Sequence, residues 1–161
     1  MEVSLRTFET WDLPFLEQWA QVIDSEHFMS RYRPRPEALG PGMTSAPLWF
    51  VIALDGVPVG TLWFESGIEP DEAVLGILLG DQSIFGRGIG RRAIELAVEQ
   101  LKCATAVARI TLNVRTTNAR AISCYLRCGF KTVRTTEKQL ADGSRVHYHT
   151  MKKDLRDFET Q

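Results

Sequence analysis

Residues 83–93 read SIFGRGIGRRA, with glycines at 86, 88 and 90 and with Arg87, Arg91 and Arg92 among and after them. The run before them, AVLGILLG, is nearly all apolar, and the run after, IELAVEQLK, is amphipathic. A helix that begins near Gly88 leaves its first N–H groups unpaired and pointing one way. Their dipoles sum to a partial positive charge. Glycines let an anion come up to that backbone with no Cβ atoms in between, and the arginines add formal charge. The segment reads as a phosphate or pyrophosphate cradle. Its plain alternative is a glycine-rich helix entry that binds nothing. A P-loop does not fit, because Lys and Ser or Thr do not follow the glycines. A dinucleotide fingerprint would want an acid at the end of the next strand, and RITLNV runs on into RTTN.

The elements that must position this segment follow from periodicity. Val3 to Phe8 alternates as a strand, and Leu13, Phe15, Leu16, Trp19, Ala20, Val22 and Ile23 recur at helical spacing behind Thr10 or Asp12 as cap. Residues 48–54 and 57–65 flank Asp55-Gly56, a strong hairpin signal. Ala73 to Leu79 is a further strand, and its unbroken apolarity predicts burial on both faces. The cradle helix runs to about Lys102, and Arg109 to Val114 forms the next strand. Asn118 caps a short helix that ends at Cys128, with Gly129 as its left-handed stop. Residues 130–140 and 145–153 close the chain as a strand pair around Ala141-Asp142-Gly143. The expected fold is α/β, a central mixed sheet flanked by helices, in a single domain over 1–156 with a short polar tail at 157–161.

Two motifs now stand in order. Gly88-Ile89-Gly90 opens a helix; Asn118, Ala121, Tyr125, Gly129 and Phe130 follow after one intervening strand. With the apolar strand ahead of them, they resemble the core of the GNAT superfamily of acyl-CoA-dependent N-acetyltransferases. That pattern is Arg/Gln-x-x-Gly-x-Gly/Ala and then N-x-x-A-x-x-x-Y-x-x-x-G-F. The likeness is closest to the branch with the ribosomal-protein and polyamine acetyltransferases, AVLGI and FGRGIGRRA here standing against AEIGI and WGKGYGxEA there. It covers about a third of the chain strongly, from Ala73 to Phe130. Two positions depart: Phe85 stands where the family has its leading Arg or Gln, and Val74 where the branch has a strand glutamate.

The resemblance implies acetyl-CoA as co-substrate and direct transfer of its acetyl group to a primary amine in a ternary complex. The amides of Gly86, Arg87, Gly88, Ile89, Gly90 and Arg91 would hold the pyrophosphate. Leu78, Leu79 and Gly80 would pair their backbone with the pantetheine arm as an added strand, one N–H meeting the thioester oxygen as it gains charge. Asn118 would touch the pantetheine side and Arg127 the nucleotide end. Tyr125 would protonate the departing thiolate, a task within reach of a phenol of pKa near ~10. Glu72, ahead of the central strand, is the first candidate for the base and Glu65 the second. Each has a plainer reading: Asn118 a helix cap, Arg127 a solvated charge, Tyr125 a core aromatic beside Ala121, Ile122 and Leu126, the glutamates strand-end charges. The alternative to catalysis is a non-catalytic acyl-CoA-binding sensor or an interaction module on the same fold.

The remaining chemistry-bearing residues say less. His147 and His149 share one side of a strand without a third metal ligand in view, and no metal is expected. Cys124 and Cys128 lie four apart with no base evident, so a covalent acetyl-enzyme is not expected. The loop 31–47, RYRPRPEALGPGMTSAP, is long and proline-rich. It is expected to border the acceptor cleft, with Arg31, Arg33 and Arg35 able to draw an acidic acceptor in, or else forming a plain solvated loop, and with His27 beside it in a structural role. Trp11, Trp19, Trp49 and Trp63 are core candidates.

Composition bounds the rest. With 161 residues, 44% hydrophobic and 24% charged, the chain can close a real core. A net charge of −1 disfavours nucleic acid as a partner. No apolar run nears the ~18 residues of a membrane span, and MEVSLRTFETWDL lacks a signal's apolar stretch. Three cysteines without metal or CxxC spacing suit a reduced cytoplasmic setting. The expected partners are a small-molecule amine or a protein N-terminus as acceptor, with homodimers frequent in the resembled family.

Overall fold

The computed structural model describes residues 1–22, 33–34 and 48–155. His27, Arg31, Arg35, nearly all of the loop 31–47 and the tail 157–161 lie outside the described residues.

The elements are β1 (Val3–Thr7), α1 (Leu13–Val22), β2 (Trp49–Leu54), β3 (Val57–Ser66), β4 (Glu72–Leu79), α2 (Ile89–Ala104), β5 (Arg109–Arg115), α3 (Ala119–Arg127), β6 (Lys131–Gln139) and β7 (Arg145–Asp154). The seven strands form one sheet in the order β1-β2-β3-β4-β5-β7-β6. Every neighbouring pair is antiparallel except β4 and β5, which run parallel because α2 carries the chain back between them. The Asp55-Gly56 turn forms as its residues dictate, with both φ positive, at 49° and 82°.

Two apolar layers clamp the sheet. On one face, Ile89, Ala93, Ile94, Ala97 and Leu101 recur every three to four residues along α2, and that stripe is buried against Leu62, Phe64, Ala73, Leu75, Ile110 and Leu112. On the other, Leu16 and Trp19 of α1 pack with Phe8, Val51 and Leu78. Trp19 fills the space beside Gly80, where any Cβ would collide with its indole ring. The entry to α1 is locked by Arg6, whose guanidinium donates to both carboxylate oxygens of the fully buried Asp12 at 2.8 Å. This pair holds the Asp12 carboxyl below its usual pKa, against the opposing effect of burial.

The strand β4 departs from expectation. Its apolar residues alternate between buried and half-buried instead of being covered on both faces. The reason is its partner. β4 and β5 pair only through Glu72–Arg109, Ala73–Ile110 and Val74–Thr111, and then part. Beyond Val74 the strand keeps β3 on one edge through Leu79 and loses its neighbour on the other.

Candidate active site

The parting of β4 and β5 opens a cleft of about 670 Å³, closed at one end by the start of α2 and along one side by α3. Backbone parity decides which groups of β4 face it. The Gly80 amide donates to the Val59 carbonyl at 2.7 Å. In an antiparallel ladder successive residues alternate sides. Leu78 and Gly80 are therefore committed to β3, and the N–H and C=O groups of Ile77 and Leu79 face the gap. This corrects the sequence reading for Leu78 and Gly80: their backbones are already bonded, and Gly80 does not line the cleft among the described residues. Leu79 lines the cleft with its backbone groups turned to the gap, and so does Ile77.

At the closed end, Gly88 is the N-cap of α2 in the left-handed region, φ 82°, with no side chain capping the helix. The first intrahelical bond is Arg92 N–H to the Gly88 carbonyl at 3.0 Å, so the amides of Ile89, Gly90 and Arg91 precede the ladder. Gly86 has φ 78°, and a Cβ on either Gly86 or Gly88 would meet nothing within 4 Å. Both glycines serve a backbone turn that leaves open space in front of it. Gly90 differs: its Cβ would make ordinary contact with Cys124 Sγ at 3.6 Å and Leu79 Cδ1 at 3.7 Å. The Arg87 guanidinium turns away, against Met1 Sδ at 3.3 Å, while Arg91 lines the cleft and leans on Glu95 at 3.3 Å.

Helix α3 supplies the long wall. Asn118 caps it, its side-chain oxygen accepting from the Ala121 amide at 3.3 Å, and Lys153 Nζ donates to the Cys128 carbonyl at 2.9 Å to close the other end. Gly129 follows at φ 94°, as the motif requires. Tyr125 lines the cleft with its ring edge-on to Phe130, centroids 6.1 Å apart. Among the described residues its hydroxyl has no hydrogen-bond partner, so it is free for whatever enters. Burial, and after it the neighbouring Cys124 and Cys128, push the phenol above its usual pKa and keep it protonated. Cys124 moves the other way. A hydrogen bond from Cys128 and the guanidinium groups of Arg91, Arg127 and Arg120 lower its pKa, although partial burial opposes them. Arg127 is exposed at the cleft's rim.

The two candidate bases separate. Glu72 lies outside the cleft, at the paired end of β4, where its carboxylate accepts from Thr111 Oγ1 at 2.8 Å and from the Glu69 amide. Glu65 sits opposite Val74 in the register of β3 and β4, 4% exposed, and lines the cleft. The structure thus moves the first-ranked base away from the cleft and leaves the second in it. The cleft also gathers residues that sequence reasoning missed or set aside. Trp63 lies across Gly76, where any Cβ would strike its ring. Arg120 and Tyr148 join the lining from α3 and β7. Alternation along β3 places Trp63 and Glu65 on one side and could have flagged the first. Arg120 carried no signal beyond its place two residues after the cap.

His147 and His149 face β6, within 3.4 Å of Glu137 and 2.8 Å of Thr135 respectively. No cluster of three or more metal-type side chains exists among the described residues. No helix among them is long and apolar enough to cross a membrane.

The model of the acetyltransferase (GNAT) family matches residues 7–130. The peptidyl-lysine N-acetyltransferase YjaB of Salmonella typhimurium is 30% identical over 122 residues, covering 74% of this chain and 76% of that protein. An aminoglycoside N(6')-acetyltransferase type 1 of Klebsiella pneumoniae is 28% identical over 148 residues, 80% of this chain and 74% of that one. Two solved structures share the fold. Aminoglycoside acetyltransferase AAC(6')-Ib in complex with coenzyme A superimposes with a TM-score of 0.75 at 24% identity over 99% of both chains. The ribosomal-protein-S18-alanine N-acetyltransferase of Escherichia coli gives 0.64 at 23%, over 95% of this chain and 94% of that one.

Proposed function

The chain belongs to the GNAT family of acetyltransferases, and from that premise we propose how its own residues transfer an acetyl group from acetyl-CoA to an amine. One observation carries the reading: β4 and β5 part after three residue pairs, directly before a helix start that no side chain caps. The cleft fits an acyl-CoA. Its glycines leave room where Cβ atoms would stand, its helix amides lack partners, and its cations suit phosphates.

The amides of Ile89, Gly90 and Arg91 hold the pyrophosphate, with the bare backbone of Gly86 and Gly88 letting it approach. The outward groups of Ile77 and Leu79 pair with the pantetheine arm, and one of these N–H groups stabilises the charge that gathers on the thioester oxygen. Asn118 keeps its cap while its amide group faces the same arm, and Arg127 lies toward the nucleotide. Glu65 takes the proton from the attacking amine, directly or through a water, and Tyr125 gives a proton to the sulfur as the C–S bond breaks. The phenol's raised pKa keeps that proton in place across neutral pH. Cys103, Cys124 and Cys128 are all free thiols, which supports work in a reducing cytoplasm.

The charge of the cleft narrows the acceptor. Glu65 is the one carboxylate among its described lining residues, against Arg91, Arg115, Arg120, Arg127 and Lys138. With Arg91, Arg120 and Arg127 facing the coenzyme's phosphates, Arg115 and Lys138 are the cations left to act on the acceptor, and they disfavour a polycation. The acceptor is an amine with one positive charge, on a protein or on a small molecule that also carries a carboxylate, in preference to an aminoglycoside or a polyamine. An acceptor panel with acetyl-CoA, scored by free thiol release, tests this. A lysyl peptide, a peptide N-terminus or an amino acid should give the highest kcat/KM; preference for kanamycin or spermidine overturns the acceptor class, and thiol release with no acceptor in a broad panel overturns the amine transfer.

A further inference from the structure

Arg120 is the second residue of α3, and its guanidinium carbon lies 3.6 Å from the centroid of the Phe85 ring. Phe85 closes the short turn Gln82–Ile84 and is followed at once by Gly86. The contact thus ties the start of α3 to the turn that leads into α2. An aromatic face fixes a guanidinium plane without neutralising it. Several other arginines are matched by acids: Arg6 by Asp12, Arg91 and Arg92 by Glu95, Arg109 by Asp71, Arg145 by Glu137. Among the described residues Arg120 has no carboxylate within ion-pair distance. It lines the same cleft as Gly86 and Gly88, at which an added Cβ would meet nothing within 4 Å.

We propose that Arg120, held flat on Phe85, is the side-chain cation that grips the pyrophosphate of the coenzyme in this protein. The inference rests on the acetyl-CoA reading of the cleft. Partial burial already lowers the guanidinium's pKa, and a phosphate in front of it would offset that cost. Arg91, by contrast, reaches the same region with part of its charge engaged by Glu95. A planar guanidinium offers two parallel donors to a phosphate, and a lysine ammonium offers a point charge that does not stack in the same way.

Calorimetric titration of acetyl-CoA and of its 3′-dephospho form into the wild type, Arg120→Met, Arg120→Lys and Phe85→Leu tests this. Arg120 makes no hydrogen bond or ion pair among the described residues, so its variants should keep the wild-type melting temperature to within a few degrees. Arg120→Met should weaken both coenzymes by about 10- to 100-fold, the range of a hydrogen-bonded charge, and should flatten the salt dependence of binding. Arg120→Lys should fall between, and Phe85→Leu should weaken both by a smaller factor that vanishes when Arg120 is already Met. An Arg120→Met affinity within twofold of wild type, with wild type binding normally, overturns the inference and leaves the cleft reading intact. A loss seen with acetyl-CoA and absent with the dephospho form moves the contact to the 3′-phosphate and overturns it as stated. If wild type binds neither coenzyme, both the inference and the cleft reading fail.

Discussion

Replacing Tyr125 by Phe removes one oxygen and separates the two readings of this side chain. The hydroxyl has no hydrogen-bond partner among the described residues, and the ring's edge contact with Phe130 at 6.1 Å survives the change. Stability near neutral pH should therefore shift by no more than about 0.5 kcal/mol, as for a substitution that breaks no internal bond. If the hydroxyl protonates the leaving thiolate, kcat should fall by roughly 10²–10⁴, which is about 2.7–5.5 kcal/mol of barrier. The KM for acetyl-CoA should move little, because the proton is needed in the transition state. The raised phenol pKa has a further consequence at high pH. The unfolded chain loses this proton near pH ~10 and the folded chain later, so above that pH the unfolded state binds fewer protons and stability declines. Urea melts should show wild type losing more stability than Tyr125→Phe between about pH 9 and 11. The kinetic assay is continuous thiol release with a saturating acceptor and acetyl-CoA. Turnover within threefold of wild type would refute the acid role and return Tyr125 to the core.

Glu65→Gln should lower kcat by about 10²-fold or more and remove the acidic limb of the pH–rate profile, whereas Glu72→Gln should leave kcat within a few-fold and cost only about 0.5–1.5 kcal/mol through its bond to Thr111; the reverse order would restore Glu72 as base. Gly88→Ala and Gly143→Ala impose the same strain, since both residues have positive φ, 82° and 89°, and empty surroundings. Each should lose about 1–2 kcal/mol by thermal melting, yet only Gly88→Ala should weaken coenzyme A in calorimetry. Asp12→Ala should cost about 2–3 kcal/mol in urea melts at pH 7, below the usual range for a broken buried pair because Arg6 is half exposed. The lowered Asp12 pKa means that this increment is present above pH ~4 and fades as pH falls through the folded-state value.

The strand and helix order was legible because each element carries its own period and punctuation: Asp55-Gly56 for the hairpin, Asn118 and Gly129 at the two ends of α3. The uncapped start of α2 was legible because glycine spacing states a backbone requirement directly. What sequence could not show depended on partners across the sheet. Whether Leu78 or Leu79 turns its amide to the gap is set by the register with β3, which no local pattern records. Glu72 and Glu65 look alike in sequence, each at a strand end; only the three-pair contact of β4 with β5 puts one at the sealed end and the other in the opening. The apolar run of β4 signals apolar surroundings, and cannot say that a ligand supplies some of them. Arg120 was invisible for the same reason, its meaning lying in an aromatic ring 35 positions earlier in the chain.

The unzipped edge of β4 has a thermodynamic side. Between Val74 and Gly80 the sheet's hydrogen-bond ladder is unfinished, and the missing rungs are those a bound pantetheine arm would supply. Without acetyl-CoA this seam is where amide protons of Ile77 and Leu79 should exchange with solvent most readily for a central strand. With it, the seam becomes interior, and the whole fold gains the free energy of ligation, about 2.7 kcal/mol at a hundredfold excess over Kd. Cellular acetyl-CoA supply would then set how long the protein lasts as well as how fast it works. It would also impose a sequence on the encounter: the acceptor meets a finished wall only after the coenzyme has built it.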